Sequence, residues 1–280
     1  MRDLFEEIWS NIRRNKLRTA LTGFAVAWGI FMLIFLLGAG NGLIHALESN
    51  NSDYMTNTMN VWGGYTSKPY NGMREGRRID LNDKDIDITL GPDFADNVEK
   101  AGTILTQASL TTSYDKEYIV KQVSGVSPEY SEMNKLSLLY GRFINEIDIK
   151  ERRRVIVMDS NDARELLGVT GEKEEGLTAL QKAAAAEALI GKYVKVNSSM
   201  FQVIGILRPS ENGWSNLYTP ISTIRTIYNR GKEIDEYTFS FHGLDSEEEN
   251  RVFEDRLRAS LNKNHNAAPV SYTHLRAHET

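Results

Sequence analysis

The sequence contains no cysteine among its 280 residues. This absence excludes a disulfide framework, a thiolate metal site and a thiol nucleophile. It also excludes a bacterial lipoprotein anchor, because that anchor requires a cysteine at the cleavage site. A domain of this size can bury enough apolar surface to fold without disulfides. The missing cysteines therefore do not argue against a folded domain outside the cytoplasm.

An excess of positive charge is also lacking. The chain has 33 Lys and Arg against 38 Asp and Glu, which gives a net charge of -5. Proteins that bind nucleic acids usually present a basic surface. We therefore expect no nucleic-acid partner.

Catalytic and metal-binding motifs are absent from the sequence. It has no G-x-S-x-G, no H-E-x-x-H and no P-loop. The five histidines show no metal-ligand spacing; they are His45, His242, His265, His274 and His278. We expect no catalytic residue, no metal, no cofactor and no enzymatic activity.

Two charged runs have simple interpretations. Asp83, Asp85 and Asp87 alternate with other residues, which we interpret as a solvated surface, with an ion site as the less favoured alternative. Residues 152–154 are three arginines, which we interpret as the solvated start of a strand rather than an anion site.

Trp214 stands among turn-forming residues at 211–216. An exposed Trp can anchor a protein partner, so Trp214 is a candidate partner contact. The alternative is a Trp ring that packs back on the sheet.

One long apolar run lies near the N-terminus. Residues 19–44 contain no Asp, Glu, Lys or Arg. A helix needs about 20 apolar residues to cross a bilayer, so the run predicts a transmembrane helix at 19–43. The alternatives are a cleaved signal peptide, whose apolar region is usually only about 7–15 residues, and a buried core helix. No second apolar run of spanning length is present.

Charged residues on either side of the run predict its orientation. The first charges after it are acidic, Glu48 and Asp53. The positive-inside rule then places the N-terminus in the cytoplasm and everything after about residue 41 on the far side of the membrane. We therefore expect an inner-membrane protein whose main domain lies outside the cytoplasm. We assign membrane topology to the basic residues before the run and to one aromatic residue within it: Arg13, Arg14, Lys16, Arg18 and Trp28.

Residues 1–18 carry apolar side chains at helical spacing, at Leu4, Phe5, Ile8, Trp9 and Ile12. This spacing predicts a cytoplasmic amphipathic helix. The pattern leaves open whether that helix lies on the lipid surface or packs on a protein.

The remainder alternates short strands with short helices, which predicts an α+β fold. Strand patterns cover 57–62, 104–112, 117–126, 154–158, 192–196, 200–207 and 237–241. Helical patterns cover 81–98, 127–136, 159–168, 171–190, 219–228 and 246–261. Ser127, Asp159 and Asp245 are the predicted N-caps, since short polar side chains can accept from the free N–H groups of a first turn. In the last helix we expect Val252, Phe253, Leu257 and Leu261 to face inward.

Five segments, taken in order, resemble segments of one known family. They are 12–22 (IRRNKLRTALT), 123–130 (VSGVSPEY), 141–148 (GRFINEID), 189–207 (LIGKYV and FQVIGIL) and 218–223 (YTPIST). In this order, behind an apolar run, they resemble the MacB-type and FtsX-like ABC transporter permeases. The resemblance covers about residues 1–268.

The resemblance implies a periplasmic core at 44–268, with a porter-like α/β part at 58–126 and 219–268 and an inserted strand-rich subdomain at 127–218. It implies a permease that couples ATP hydrolysis by a cytoplasmic ATP-binding subunit to export or efflux. A homodimer or paired permease, in contact with the lipid bilayer, is also implied. The alternative is a single-span extracytoplasmic sensor or an FtsX-like regulator of cell-wall enzymes.

Permeases of this family have three further spans after the periplasmic domain. We therefore expect the chain to be an N-terminal fragment of such a permease. Residues 269–280 do not continue the periodicity of the preceding helix, and we interpret them as a non-native tail.

Overall fold

A computed structural model of the chain describes residues 15–51, 57–170, 176, 178–209, 215–244, 246–267 and 274–278. The chain divides into two compact units, Met1–Ser52 and Asp53–Thr280. The fold is α+β, as predicted, with one long helix in the first unit and mixed helices and strands in the second.

Helix α1 (Lys16–Asn51) has 36 residues, a length of about 54 Å at 1.5 Å per residue. Its segment Lys16–Gly42 is long and apolar enough to cross a membrane, and none of that segment is buried. The helix continues past residue 43 to Asn51, so it is longer than the predicted span at 19–43. The amphipathic helix predicted at 1–18 lies mostly outside the described residues, the first of which is Asn15.

The strands of the second unit are, in chain order, β1 (Thr58–Trp62), β2 (Leu81–Asn82), β3 (Val98–Tyr114), β4 (Glu117–Val126), β5 (Leu138–Gly141), β6 (Val155–Asp159), β7 (Tyr193–Val196), β8 (Ser199–Leu207), β9 (Leu217–Pro220), β10 (Glu233–Ile234), β11 (Glu236–Phe241) and β12 (His274–His278). Its helices are α2 (Asp83–Thr89), α3 (Tyr130–Met133), α4 (Glu146–Glu151), α5 (Ser160–Leu166), α6 (Ala179–Glu187), α7 (Ile221–Tyr228) and α8 (Glu247–Asn264).

Four strands form one half of the unit in the order β12-β1-β11-β3, and each neighbouring pair is antiparallel. Together with α2 and α8 they follow the chain order β-α-β-β-α-β of a split, ferredoxin-like unit. One face carries the apolar core, where Phe94 meets Phe253 edge-on at 5.6 Å between ring centroids. Strand β12 lies within the segment interpreted above as a non-native tail; the pairing does not test that interpretation, which stays a prediction.

Six strands close into a ring. Strand β3 pairs with β4, β4 with β9, β9 with β6, β6 with β8, β8 with β7, and β7 again with β3. All six contribute buried side chains to one apolar cluster, among them Leu105, Val123, Leu217, Met158, Phe201 and Val194. The ring joins strands from both sides of residue 127, and the predicted division into a porter-like part and an insertion stays a prediction.

Several local predictions are confirmed. The predicted strands at 192–196 and 200–207 are confirmed as the antiparallel hairpin β7–β8, whose turn contains Asn197 at φ +50. Asp159 caps α5, since its carboxylate accepts from the N–H of Asp162 at 2.8 Å. The three arginines at 152–154 are exposed, as predicted.

Other local predictions are wrong. Ser127 caps no helix, because its hydroxyl accepts from the N–H of Thr103 on β3 at 3.1 Å, and α3 begins only at Tyr130. The N-cap of α8 is Ser246, in a capping box with Glu249; Asp245 lies outside the described residues. Val252 is 55% exposed, because the buried stripe of α8 runs through Phe253, Leu257 and Leu261 at intervals of four residues.

Candidate functional sites

The membrane-length helix α1 begins with exposed cations and continues with an aromatic column. Lys16 and Arg18 lie in its first turn and are exposed. Trp28 lies between Phe24 and Phe31, with ring centroids 5.8 Å and 5.7 Å away; its ring is stacked on Phe24 and tilted against Phe31. Arg13 and Arg14 lie outside the described residues, so the topology assignment of all five residues stays a prediction.

The hydroxyl groups near the start of α1 are satisfied within the helix. Thr22 donates to the carbonyl of Arg18 at 3.0 Å, and Thr19 donates to that of Asn15 at 3.2 Å. A hydrocarbon environment offers no water to polar groups, so such internal bonds are required of a membrane helix. The helix therefore has the local chemistry that a bilayer demands.

The second unit contains a buried polar cluster around Asp85 on α2. Asp85 has no solvent exposure. Its carboxylate accepts from Asn264 at 2.7 Å, from the N–H of Asn82 at 2.8 Å, and from Nε2 of His265 at 2.9 Å. The interpretation of this acidic run as a solvated surface is thus wrong for Asp85, because its partners come from the far end of α8.

The cluster continues into the core on one side and to the surface on the other. Thr89 donates to the carbonyl of Asp85 at 2.8 Å and lies 2.8 Å from the hydroxyl of Tyr237. Burial of Tyr237, together with the nearby charge of Asp85, raises the pKa of its phenol well above the ordinary range. Arg77 donates to the carbonyl of His265 at 2.6 Å. These contacts fix the C-terminal end of α8 against α2.

A second polar cluster explains the segment GRFINEID at 141–148. Arg142 donates to both carboxylate oxygens of Asp148, at 2.5 Å and 3.0 Å. Asp148 also accepts from the N–H of Asn145 at 3.1 Å, in the capping box that starts α4. Burial alone would raise the pKa of Asp148, but the bonds from Arg142 and Asn145 and the nearby charge of Arg153 outweigh it and lower that pKa.

Gly141 and Gly125 have structural roles in the family-like segments. Gly141 has φ +77, and a Cβ there would lie 2.2 Å from the carbonyl oxygen of Ile204. A Cβ at Gly125 would lie 2.9 Å from Cα of Ile221, the first residue of α7. Both positions therefore need glycine so that neighbouring backbones can approach. In both segments the glycine therefore serves the packing of the fold.

A third cluster joins Lys121, Asp162 and Ser215. The Lys121 ammonium lies 3.1 Å from Asp162 Oδ1 and donates to Ser215 at 2.7 Å, and Ser215 donates to Asp162 Oδ2 at 2.9 Å. Burial and the charge of Asp159 raise the pKa of Asp162. The Asp162 carboxylate is thus held by both Lys121 and Ser215.

Ser215 directly follows the candidate partner contact Trp214 in the chain. Trp214 itself lies outside the described residues, and its role stays a prediction.

Among the residues that the structure describes, no group of three or more His, Cys, Asp or Glu could hold a metal ion.

These features define a class of protein: a membrane-length helix followed by a ferredoxin-like α+β unit that shares a strand with a six-stranded ring. The family described as MacB-like periplasmic core domain matches residues 19–258. The chain therefore belongs to the MacB-like periplasmic core domain family, and it carries the kind of periplasmic domain found in ABC transporter permeases.

Named relatives agree with this assignment. A macrolide export ATP-binding/permease protein MacB of Psychrobacter arcticus is 26% identical over 224 residues, which are 76% of this chain and 30% of that protein. A protein of the same name from Aggregatibacter actinomycetemcomitans is 23% identical over 234 residues, 82% of this chain and 33% of that protein. The chain thus spans about a third of the length of these relatives.

Two solved structures share the fold. The extracellular domain of the noncanonic ABC-type transporter YknZ from Gram-positive bacteria matches with a TM-score of 0.59 at 18% identity, covering 78% of this chain and all of that one. The periplasmic region of MacB from Actinobacillus actinomycetemcomitans matches with a TM-score of 0.56 at 20% identity, covering 80% of this chain and 89% of that one. The family match and α1 together indicate an inner-membrane protein with a periplasmic domain.

Proposed function

We propose that this chain belongs to the permease part of an ABC transporter, and that it couples ATP hydrolysis in the cytoplasm to a conformational change of its periplasmic domain for export or efflux. The observation that carries the proposal is a match to the MacB-like core domain that begins at residue 19, within a helix of membrane-spanning length. In this proposal the chain itself is not an enzyme.

The length of α1 supports a mechanical role. A hydrocarbon core is about 30 Å thick, whereas the 36 residues of α1 extend over about 54 Å. The excess is a continuous helical extension outside the bilayer. A continuous helix transmits a shift or tilt over its whole length, whereas a flexible connector would absorb it.

The ATP-binding part is proposed to lie on the cytoplasmic side. The relatives are named ATP-binding/permease proteins, so that part is proposed either within the same polypeptide or on a partner subunit. Two copies of the permease, as a homodimer or a pair, would exchange between two arrangements in the bilayer. ATP would favour one arrangement only in so far as it binds that arrangement more tightly.

The topology can be tested by cysteine labelling, since the chain has no cysteine of its own. Ser10→Cys marks the N-terminal segment and Ser137→Cys marks an exposed position in the second unit. A membrane-impermeant maleimide should label Ser137→Cys on intact spheroplasts and Ser10→Cys only after lysis. The reverse pattern would overturn the topology.

The coupling can be tested with the same labelled position. Spin labels at Ser137→Cys, in nanodiscs that also contain the ATP-binding part, should report a change in the distance between two copies when ATP is added. An ATP-binding part whose P-loop Lys is replaced serves as the control. An identical distance distribution in all nucleotide states would contradict the coupling.

A further inference from the structure

One face of the six-stranded ring carries exposed side chains from four adjacent strands, β4, β3, β7 and β8. Pairing places Ser113 opposite both Tyr118 and Lys195, and Lys195 opposite Met200, so one row crosses all four strands. We call this surface the outer sheet face. Its residues are Tyr118, Val120, Gln122, Ser109, Thr111, Ser113, Tyr193, Lys195, Met200 and Gln202.

Two tyrosine rings stand out on the outer sheet face. Tyr118 is 64% exposed and Tyr193 is 58% exposed. Their strand neighbours Ile119 and Val194 point to the opposite side and are buried. The strands are thus packed on one side only, and the two rings are open to solvent. A tyrosine offers a flat apolar surface and a polar hydroxyl, which suits contact with a ligand that is itself partly apolar and partly polar.

The outer sheet face carries almost no charge. Lys195 is its one charged residue among ten, whereas a quarter of the chain is charged. Between the tyrosines, β3 presents the short hydroxyl residues Ser109, Thr111 and Ser113. Hydroxyl and amide groups both donate and accept hydrogen bonds. The chemistry of this face therefore matches an uncharged ligand rich in hydroxyl groups.

A protein partner fits this face less well. Protein interfaces concentrate apolar and aromatic anchors at their centre and polar residues at their rim. Here the strand between the two rings, β3, is polar. The exposed apolar side chains lie on the strands to either side of it, at Tyr118, Val120, Tyr193 and Met200. An extended sugar chain, in contrast, places apolar ring faces on aromatic side chains and hydroxyls on polar ones. Small barrels are known to bind oligosaccharides on an exposed strand face.

The spacing of the rings indicates the size of the ligand. Tyr118 and Tyr193 are separated by two strand spacings and by about two residues along the strands, about 12 Å in all. One sugar residue cannot touch both rings, but an extended oligosaccharide can. We propose that the outer sheet face binds an extended, uncharged glycan chain, with Tyr118 and Tyr193 as two stacking platforms. The proposal uses the periplasmic location given under the proposed function, but it does not require ATP coupling.

The test uses the purified full chain in detergent, with chitohexaose, cellohexaose and chitobiose as probes in titration calorimetry. At least one hexasaccharide should bind, and chitohexaose should bind more tightly than chitobiose, because only the longer chain reaches both rings. Tyr118→Ala and Tyr193→Ala should each weaken hexasaccharide binding about fivefold. Because the rings do not touch, the double variant should lose about the product of the two factors.

The matched control is Tyr65→Ala, since Tyr65 is also 64% exposed but lies in the loop after β1. It should bind as the wild type does, and circular dichroism should show that all variants are folded. Failure of both hexasaccharides to bind, or binding that the two variants leave unchanged, would overturn the proposal. Variants that change self-association in sedimentation, without any sugar binding, would show that the face is a protein interface instead. None of these measurements involves nucleotide, so their failure leaves the transport proposal standing, and loss of ATP coupling leaves this one standing.

Discussion

Arg142 and Asp148 form a two-pronged ion pair between the end of β5 and the first turn of α4, and the Asp148 carboxylate is fully buried. The same carboxylate also accepts from the N–H of Asn145, in the capping box that starts α4. Residues 141–148, which resemble a family segment, thus hold the start of α4 against the end of β5.

Replacing Arg142 by Met should destabilise the domain by about 2 kcal/mol. Loss of one partner from a buried ion pair commonly costs about 3–5 kcal/mol. The smaller figure is expected because the Arg142 side chain is 42% exposed and Arg153 remains 3.7 Å from Asp148. Chemical unfolding of the full chain in detergent measures the change. Arg142→Lys keeps the charge and should cost less; equal losses for both variants would mean that charge is not what matters.

The effect of Arg142→Met should depend on pH. The folded-state pKa of Asp148 is lowered from its ordinary value of 3.8, so its contribution to stability is present above that value and is lost as pH falls through the folded pKa. The difference in unfolding midpoint between wild type and Arg142→Met should therefore be full at pH 6 and shrink below about pH 4. A difference that stays constant from pH 7 to pH 3 would contradict the assignment to Asp148.

Asp162 should show the opposite pH dependence. Its folded-state pKa is raised above 3.8, so the folded state holds the proton more tightly and the ionised carboxylate lowers stability at neutral pH. Compared with Asp162→Asn, the wild type should gain stability as pH falls from 7 towards 4. The asparagine keeps an acceptor for Ser215, so the variant should stay folded. The two variants measured over the same pH range check each other, and parallel slopes would refute one of the two pKa directions.

His265→Ala should destabilise the domain by about 2 kcal/mol, because it removes a hydrogen-bond donor from the buried Asp85 carboxylate. His265→Gln can still donate and should restore part of the loss. Hydrogen exchange should localise the effect to the end of α8 and to α2, where His265 and Asp85 lie. Exchange that increases elsewhere but not at these two helices would argue against this role.

The sequence predicts the local elements of this fold well and its long-range contacts poorly. The apolar run of α1 and the β7–β8 hairpin are visible because their signals lie within about 30 residues. The pairing of β1 with β11 joins Thr58 to Ser240, and no local pattern indicates it. The same reason explains the misinterpretation of Asp85, whose partners Asn264 and His265 lie about 180 residues further along the chain.

The tyrosines of the outer sheet face were missed for a different reason. The alternation of exposed and buried residues along β4 can be read from the sequence, at Tyr118, Ile119 and Val120. What cannot be read is that β7 returns to pair with β3, which places Tyr193 on the same face. A surface that is assembled from four strands becomes visible only when the ring is closed.

Strand β3 is 17 residues long and belongs both to the four-stranded sheet and to the six-stranded ring. The sheet and the ring therefore share one strand, and neither can move or unfold without disturbing the hydrogen bonds of the other. The whole domain should consequently behave as one cooperative block, with a single unfolding transition. A force applied at any point would therefore act on the whole domain, rather than moving one part against the other.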